Sequence, residues 1–216
     1  MERHILVILP HPDDEAFSSS GTLASHIQKG TPVTYACLTL GEMGRNMGSP
    51  LFANRVTLPT IRRVELEESC RAIGIQDLRM LGFHDKTIEF DQTRLTQKVE
   101  ELLEELKPSL VITFYPGYSV HPDHDATGAA VIRAVGKLPA ADRPVIHCIA
   151  FSKGCENEIG KPDIINDVKE YTENKIRSVQ AHKSQFSLGQ MVTGKSVDDP
   201  AVRQRLGTEQ FWTYRI

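Results

Sequence analysis

No apolar stretch in this 216-residue chain approaches the roughly 18 residues that a membrane-spanning helix needs. No membrane partner is therefore expected. Positive charge is not in excess either. The formal net charge is −3, which gives no footprint for polyanions and argues against nucleic acid as a partner. The start, Met1-Glu2-Arg3-His4, runs directly into an apolar segment without a signal peptide's layout, so the cytoplasm is the expected compartment. Cysteine is sparse. Cys37, Cys70, Cys148 and Cys155 form no C-x-x-C pair. Cys37 and Cys148 sit inside apolar strand patterns and Cys70 on an amphipathic helix. Buried free thiols are the expectation, not a disulfide framework or a thiolate metal site. Residues 9–17 lack the G-x-G-x-x-G spacing that lets a pyrophosphate approach a helix end, which removes a dinucleotide-binding module. Repeats, low-complexity tracts and linkers are also missing. With 40% hydrophobic and 25% charged residues, the chain reads as one globular domain over residues 1–216.

What the chain does have is alternation. Strand patterns at 4–10, 33–39, 78–81, 109–115 and 145–151 are separated by helical patterns at 15–29, 60–73, 92–106 and 125–136. Gly30, Gly74 and Pro108 stand where helices should stop. The expected fold is α/β, a Rossmann-like, mostly parallel sheet with helices on both faces. Residues 41–59, 82–91 and 116–122 break the pattern after strands and should rim one crevice. Residues 185–207 lack clear periodicity, which fits a lid, an oligomer contact or ordered coil.

Two near-matching tetrapeptides stand out, His11-Pro12-Asp13-Asp14 and His121-Pro122-Asp123-His124. Each follows an apolar strand and precedes a helix. Turns at the carboxyl ends of strands collect in one crevice of an open α/β sheet, so the two motifs should meet. They would bring imidazoles and carboxylates in the mixture a catalytic zinc uses, with an open position for water and a nearby base. The plainer reading is that Asp at such a turn is only a helix N-cap. Pro12 holds His11 extended. Asp13 and Asp14 then point to different sides and should do different work, although composition does not say which binds metal. Two histidines and a carboxylate suit Zn²⁺, one per chain, and also Fe²⁺ or Co²⁺.

The two tetrapeptides, with Thr39-Leu40-Gly41-Glu42, Arg62, Glu65, Lys175 and Ala181-His182-Lys183-Ser184-Gln185, resemble the LmbE-like (PIG-L) zinc N-deacetylases over nearly the whole chain. Within that family the chain looks most like the bacillithiol-pathway enzymes that act on N-acetylglucosaminyl malate. The resemblance implies His11, Asp14 and His124 as metal ligands and Asp13 as the general base. It implies His121 as a charged imidazole facing the oxyanion, held by Asp123, with a further metal ligand as the rival role for His121. It also implies an amino-sugar substrate bound by Arg62 and Asp85, and a homo-oligomer such as a hexamer. Arg62 would otherwise lie on a solvated helix face beside Glu65, and Asp85 would be an ordinary turn residue. Arg45 and Arg55 are placed to meet a malyl carboxylate. Tyr118, like Tyr115, is near enough to the second motif to reach the oxyanion, with neither preferred. Glu42 is expected to shape its loop, and His182 is left outside the catalytic set with a packing or assembly role. His4, His26, His84 and His147 are read as structural or surface residues. Other readings of the same residues are a non-catalytic, metal-containing carbohydrate-binding protein, an amidase of a thiol–sugar conjugate, and a deacetylase of another N-acetylglucosamine derivative.

Overall fold

A computed structural model describes residues 2–186 and 199–216. Seven strands form one sheet: β1 (Ile5–Leu9), β2 (Val33–Cys37), β3 (Asp77–Met80), β4 (Leu110–Phe114), β5 (Val145–Ile149), β6 (Ile164–Asp167) and β7 (Thr208–Tyr214). Their order is β3-β2-β1-β4-β5-β7-β6. The first five are parallel, and β7 is antiparallel to both β5 and β6. β1, β2 and β4 are buried at every position, as continuous apolar strands covered on both faces must be.

The helices are α1 (Asp14–Ser18), α2 (Ser20–Gln28), α3 (Leu58–Ile73), α4 (Gln92–Leu106), α5 (Pro122–Gly136), α6 (Cys155–Ile159), α7 (Thr172–Ala181) and α8 (Pro200–Leu206). One core joins Ile5, Val7, Leu9 and Tyr35 to Leu23 of α2 and Leu66, Cys70 and Ile73 of α3. The other joins Leu6, Ile8 and Val111 to Leu95, Val99 and Leu103 of α4 and to Val131 and Val135 of α5. Helices thus cover both faces, as the alternation predicts. All four cysteines are buried and free. No helix among the described residues is long and apolar enough to cross a membrane.

Two features differ from the sequence reading. The helix expected over 15–29 breaks at Ser19 (φ −144°). The break has a partner far along the chain: Glu209 accepts from the N–H groups of Gly21 and Thr22 at 3.0 and 2.7 Å, so α2 starts afresh against β7. The second is the tail. Residues 200–206 are helical and lead into β7, and β6 and β7 complete the sheet; residues 187–198 of the segment expected to be aperiodic lie outside the described residues.

The chain leaves β1 for β2 and β3 on one side and returns with β4 on the other. That reversal between β1 and β4 is the topological switch point, where ligands bind in such sheets. Both tetrapeptides emerge there.

Candidate active site

The first turn is strained and heavily braced. Asp13 has φ 104°, a left-handed conformation that costs a non-glycine residue on the order of 1–3 kcal/mol and persists only when its surroundings enforce it. From below, Glu15 Oε2 accepts from the Asp13 N–H and from Tyr35 Oη, both at 3.1 Å. Ser69 Oγ and His182 bind the other carboxylate oxygen. From the side, Arg62 Nη2 donates to Asp13 Oδ2 at 2.8 Å and to the Pro12 carbonyl, while Nη1 donates to the Gly41 carbonyl at 2.8 Å. Gly41 has φ 59°, and a Cβ there would lie 1.8 Å from Arg62 Nη1; the Gly of the Thr39–Glu42 motif makes room for the guanidinium.

The second turn is set by close packing. A Cβ on Gly128 would lie 2.1 Å from the Phe114 carbonyl oxygen, so α5 sits directly on the end of β4. His124 stacks on Phe114 with centroids 3.9 Å apart and planes 9° apart. Its Nδ1 lies 3.0 Å from the Ser119 carbonyl, which makes Nδ1 the protonated nitrogen and leaves Nε2 a free lone pair.

These lone pairs converge. His11 Nδ1 is 3.3 Å from His124 Nε2 and 3.5 Å from Asp14 Oδ2, and His124 Nε2 is 3.3 Å from Asp14 Oδ1. On its far side, His11 Nε2 lies 3.2 Å from both Asp123 Oδ2 and Asp85 Oδ1, so its proton belongs on Nε2 and its lone pair on Nδ1. Nδ1 of His11, Nε2 of His124 and the Asp14 carboxylate thus face one point, an arrangement that suits a cation. A divalent ion with bonds of about 2.0–2.1 Å separates tetrahedral donors by about 3.3 Å, which matches. The charges agree. Burial opposes ionisation of Asp14, yet His124 and His11 outweigh it and hold the carboxyl well below its usual range. Burial likewise pulls His11 down, and the carboxylates of Asp123, Asp14 and Asp85 outweigh it, so this position favours a positive charge, a proton on the ring or a metal ion in that proton's place. Two other groupings bring one ligand atom from each residue within 4.8 Å of the rest, His11 with His121 and His124, and His11 with Asp85, His121 and Asp123. The His11–Asp14–His124 set is favoured because it includes a neutralising carboxylate, whose two oxygens lie 3.5 Å from His11 Nδ1 and 3.3 Å from His124 Nε2.

Several placements correct the sequence reading. The Asp123 carboxylate does not hold His121. It accepts from His11 and from the N–H groups of Lys86 and Ile88, at 2.6 and 3.3 Å. Instead His121 is itself the N-cap of α5, its Nδ1 accepting from the Asp123 N–H at 3.1 Å. Burial and the neighbouring imidazoles of His11 and His124 push His121 down, and a ring whose Nδ1 accepts carries its proton on Nε2. Arg62 does not lie on a solvated face. It is 3% exposed, its Nη2 bound to the first turn and its Nη1 to the Gly41 carbonyl, and Glu65 binds Ser184 instead. Asp85 is buried against His11 and accepts from the Met43 N–H at 2.9 Å. Arg55 is spent on the Glu42 and Gly44 carbonyls. Tyr118 reaches Glu158 at 3.1 Å, and neither it nor Tyr115 lines the cleft.

The cleft itself, about 300 Å³, is lined by His11, Asp13, Asp14, Arg62, Asp85, His121 and His124 within and by Met43, Gly44, Arg45 and Lys86 at the mouth. Lys86 and Ser119 carried no clear sequence signal, and the His182 motif gave no sign of its partner Glu15. A cavity of about 1070 Å³ at the opposite end of the sheet, around Arg3, Lys107 and Val145, gathers none of these groups.

Fold and site together define an α/β protein with a His/Asp/His cluster able to hold a metal at its switch point. The chain belongs to the PIG-L family, described as GlcNAc-PI de-N-acetylase, whose model matches residues 6–135. It is 50% identical over 218 residues to the "Probable N-acetyl-alpha-D-glucosaminyl L-malate deacetylase 2" of Bacillus cereus, covering 100% of this chain and 99% of that protein. The protein of the same name from Bacillus subtilis is 47% identical over the same shares. Among solved structures, the N,N'-diacetylchitobiose deacetylase of Pyrococcus horikoshii superposes with a TM-score of 0.75 at 25% identity, over 99% of this chain and 84% of that one. The family read from the two tetrapeptides is the family found.

Proposed function

We propose that this single-domain protein is a zinc-dependent hydrolase that removes the acetyl group from N-acetylglucosaminyl L-malate, giving glucosaminyl malate and acetate, as in bacillithiol biosynthesis. The observation that carries the chemistry is the convergence of His11 Nδ1, Asp14 and His124 Nε2, beside the braced Asp13 carboxylate. The full-length relatives named for this reaction carry the substrate.

His11, Asp14 and His124 would hold one ion. Zinc suits this donor set, as would Fe²⁺ or Co²⁺. Bound there, the ion would polarise the acetamide carbonyl and lower the pKa of water. Asp13 takes the proton from the attacking water and later supplies it to the leaving amine. Arg62 holds that carboxylate and Glu15 holds the backbone N–H of the same residue. His121 donates its Nε2–H to the developing oxyanion. Asp123 and Asp85 orient His11 from behind. At the mouth, Arg45 and Lys86 make no ion pair among the described residues and suit the two carboxylates of a malyl aglycone. The reading places the enzyme in the cytoplasm as a homo-oligomer.

The test compares acetate release by zinc-loaded protein from N-acetylglucosaminyl malate, free N-acetylglucosamine and acylated thiol–sugar conjugates. The malate glycoside should have the highest kcat/KM. A preferred thiol conjugate would make the protein an amidase of that class, and no release from any of them would leave only a carbohydrate-binding role.

A further inference from the structure

The residues that follow α7 touch both walls of the cleft. His182 is fully buried, with Nε2 2.8 Å from Glu15 Oε1. The other Glu15 oxygen holds the N–H of Asp13, the residue strained at φ 104°. Ser184 is anchored to α3, where Glu65 accepts from its N–H and its Oγ, both at 2.7 Å. Gln185 then crosses to the other wall. Its Nε2 donates to the Asn46 carbonyl at 3.1 Å, and Asn46 Nδ2 donates back to the Gln185 carbonyl at 2.6 Å. The Gly48 N–H adds a bond to the Ser184 carbonyl at 2.9 Å. A Cβ on Gly44 would lie 2.7 Å from Gln185 Oε1, so loop and glutamine are packed too closely for a side chain there. That same loop places Met43, Gly44 and Arg45 at the cleft mouth.

We propose that His182 and Gln185 are positioning residues with separate tasks, His182 fixing the Asp13 turn through Glu15 and Gln185 fixing the 43–46 loop that faces the aglycone. The inference rests on the reading of Asp13 as the base. Neither residue touches the reacting atoms. Apolar packing alone would not explain the segment. Two buried carboxylates, Glu15 and Glu65, are desolvated to bind it, which is costly unless every hydrogen bond is made in place. Those bonds lead to different walls. One neighbourhood therefore controls the chemical step and the other controls binding.

The experiment is a kcat-against-KM split on zinc-loaded full-length protein, with bound zinc measured per chain. His182→Leu removes the donor to Glu15. His182→Gln restores one, because the glutamine Nε2 reaches about where the imidazole Nε2 does. His182→Leu should keep its zinc and its KM while kcat falls about 10- to 100-fold, the scale of a base displaced by up to about 1 Å. His182→Gln should recover most of that loss. Gln185→Ala should do the reverse, keeping kcat and raising KM about 5- to 10-fold, as lost uniform binding does. Its effect should be larger on the malate glycoside than on the methyl glycoside. Equal changes in kcat and KM for both variants, wild-type turnover in His182→Leu, or loss of zinc from it would overturn the proposal. If His182→Leu does not fold, Glu15→Gln takes its place, with the same kcat-only loss expected and the same overturning results. Each effect is a ratio to wild type on whichever N-acetylglucosaminide is turned over. Indifference to malate alone therefore counts against the substrate reading, and loss of the split counts against this one.

Discussion

Arg62, on α3, and Asp13, in the turn after β1, form an ion pair of 2.8 Å that is 4% exposed on the arginine side and 17% on the aspartate side. The pair sets both the place and the charge of the carboxylate. Burial pushes Asp13 up, Arg62 holds it down, and the Asp14 carboxylate pushes it up again, leaving it at about 6. A divalent cation beside it would draw it lower. A base so poised is ionised near neutral pH yet still able to accept a proton.

Replacing the guanidinium should therefore show in the pH profile. In Arg62→Met, Asp13 loses the charge that holds it down, so its pKa rises. Turnover needs ionised Asp13 and is lost as pH falls through that pKa. The acidic limb of kcat should move to higher pH, and turnover at pH 7 should drop on the order of 10-fold or more, within the usual worth of a positioned base. An acidic limb that stays in place, measured with full metal content, would show that Arg62 does not govern Asp13.

The strand-end position of both tetrapeptides was legible in the sequence because the apolar runs before them, Ile5–Leu9 and Leu110–Phe114, are short, continuous and buried. The switch-point rule then brings His11 and His124 together across 113 positions. Which carboxylate serves which imidazole was not legible. The pairing of Asp123 with His121, two residues away, was what the family resemblance implied. The first turn of α5 instead aims the carboxylate at His11 and gives His121 only a backbone N–H. The solvated face weighed as the alternative for Arg62 does not hold. Its charge suggests solvent, but Arg62, Glu65 and Ser69 share the buried face of α3 with Leu58, Leu66 and Ile73. Polar residues on an apolar helical stripe mark an interior network, and that pattern was available. β7 was not, since its antiparallel pairing to β5 depends on a partner far along the chain.

The metal set makes a direct claim. Alanine at His11, Asp14 or His124 should each lower bound zinc well below one ion per chain, because three protein ligands leave none to spare. Asp13→Asn should keep its metal and lose about 10²- to 10⁴-fold in turnover. Elemental analysis decides both. Full zinc in His124→Ala would mean that the ligand set is wrong.

His121 is the residue on which geometry and the sequence reading part most clearly. As a neutral N-cap with Nε2–H facing the cleft, it should contribute as an oxyanion donor. His121→Ala should keep its zinc and lose about 10²- to 10³-fold in kcat, the typical cost of one such donor. Because its pKa is pushed down, a basic limb in the wild-type profile should persist unchanged in the variant. A variant that purifies without metal would place His121 in the ligand set with His11 and His124, the grouping whose donor atoms also fall within 4.8 Å.

The last prediction concerns pH and folding. Burial pulls His182 down, but the Glu15 charge outweighs it and raises the imidazole above its ordinary 6.5. Glu15 is lowered below its ordinary 4.5 because His182 outweighs the burial that would raise it. A histidine with a raised folded pKa stabilises fully below its unfolded value, and that contribution fades as pH rises through the folded value. A glutamate with a depressed folded pKa stabilises fully above its unfolded value, and that contribution fades as pH falls through the folded one. Both contributions are therefore complete between pH 4.5 and 6.5. Removing one partner alone would leave the other buried and uncompensated, with its own pH dependence. The clean comparison is wild type against the double variant Glu15→Leu/His182→Leu, in which the lost bonds from Ser69, Tyr35 and Asp13 cost the same at every pH. Urea unfolding across pH 4 to 9 should give a stability difference that is greatest in that window. It should decline toward pH 9 by about 1.4 kcal/mol for each pKa unit by which His182 is raised. A difference that is flat across the range, or that grows toward pH 9, would show that His182 is not held charged by Glu15 in the folded protein.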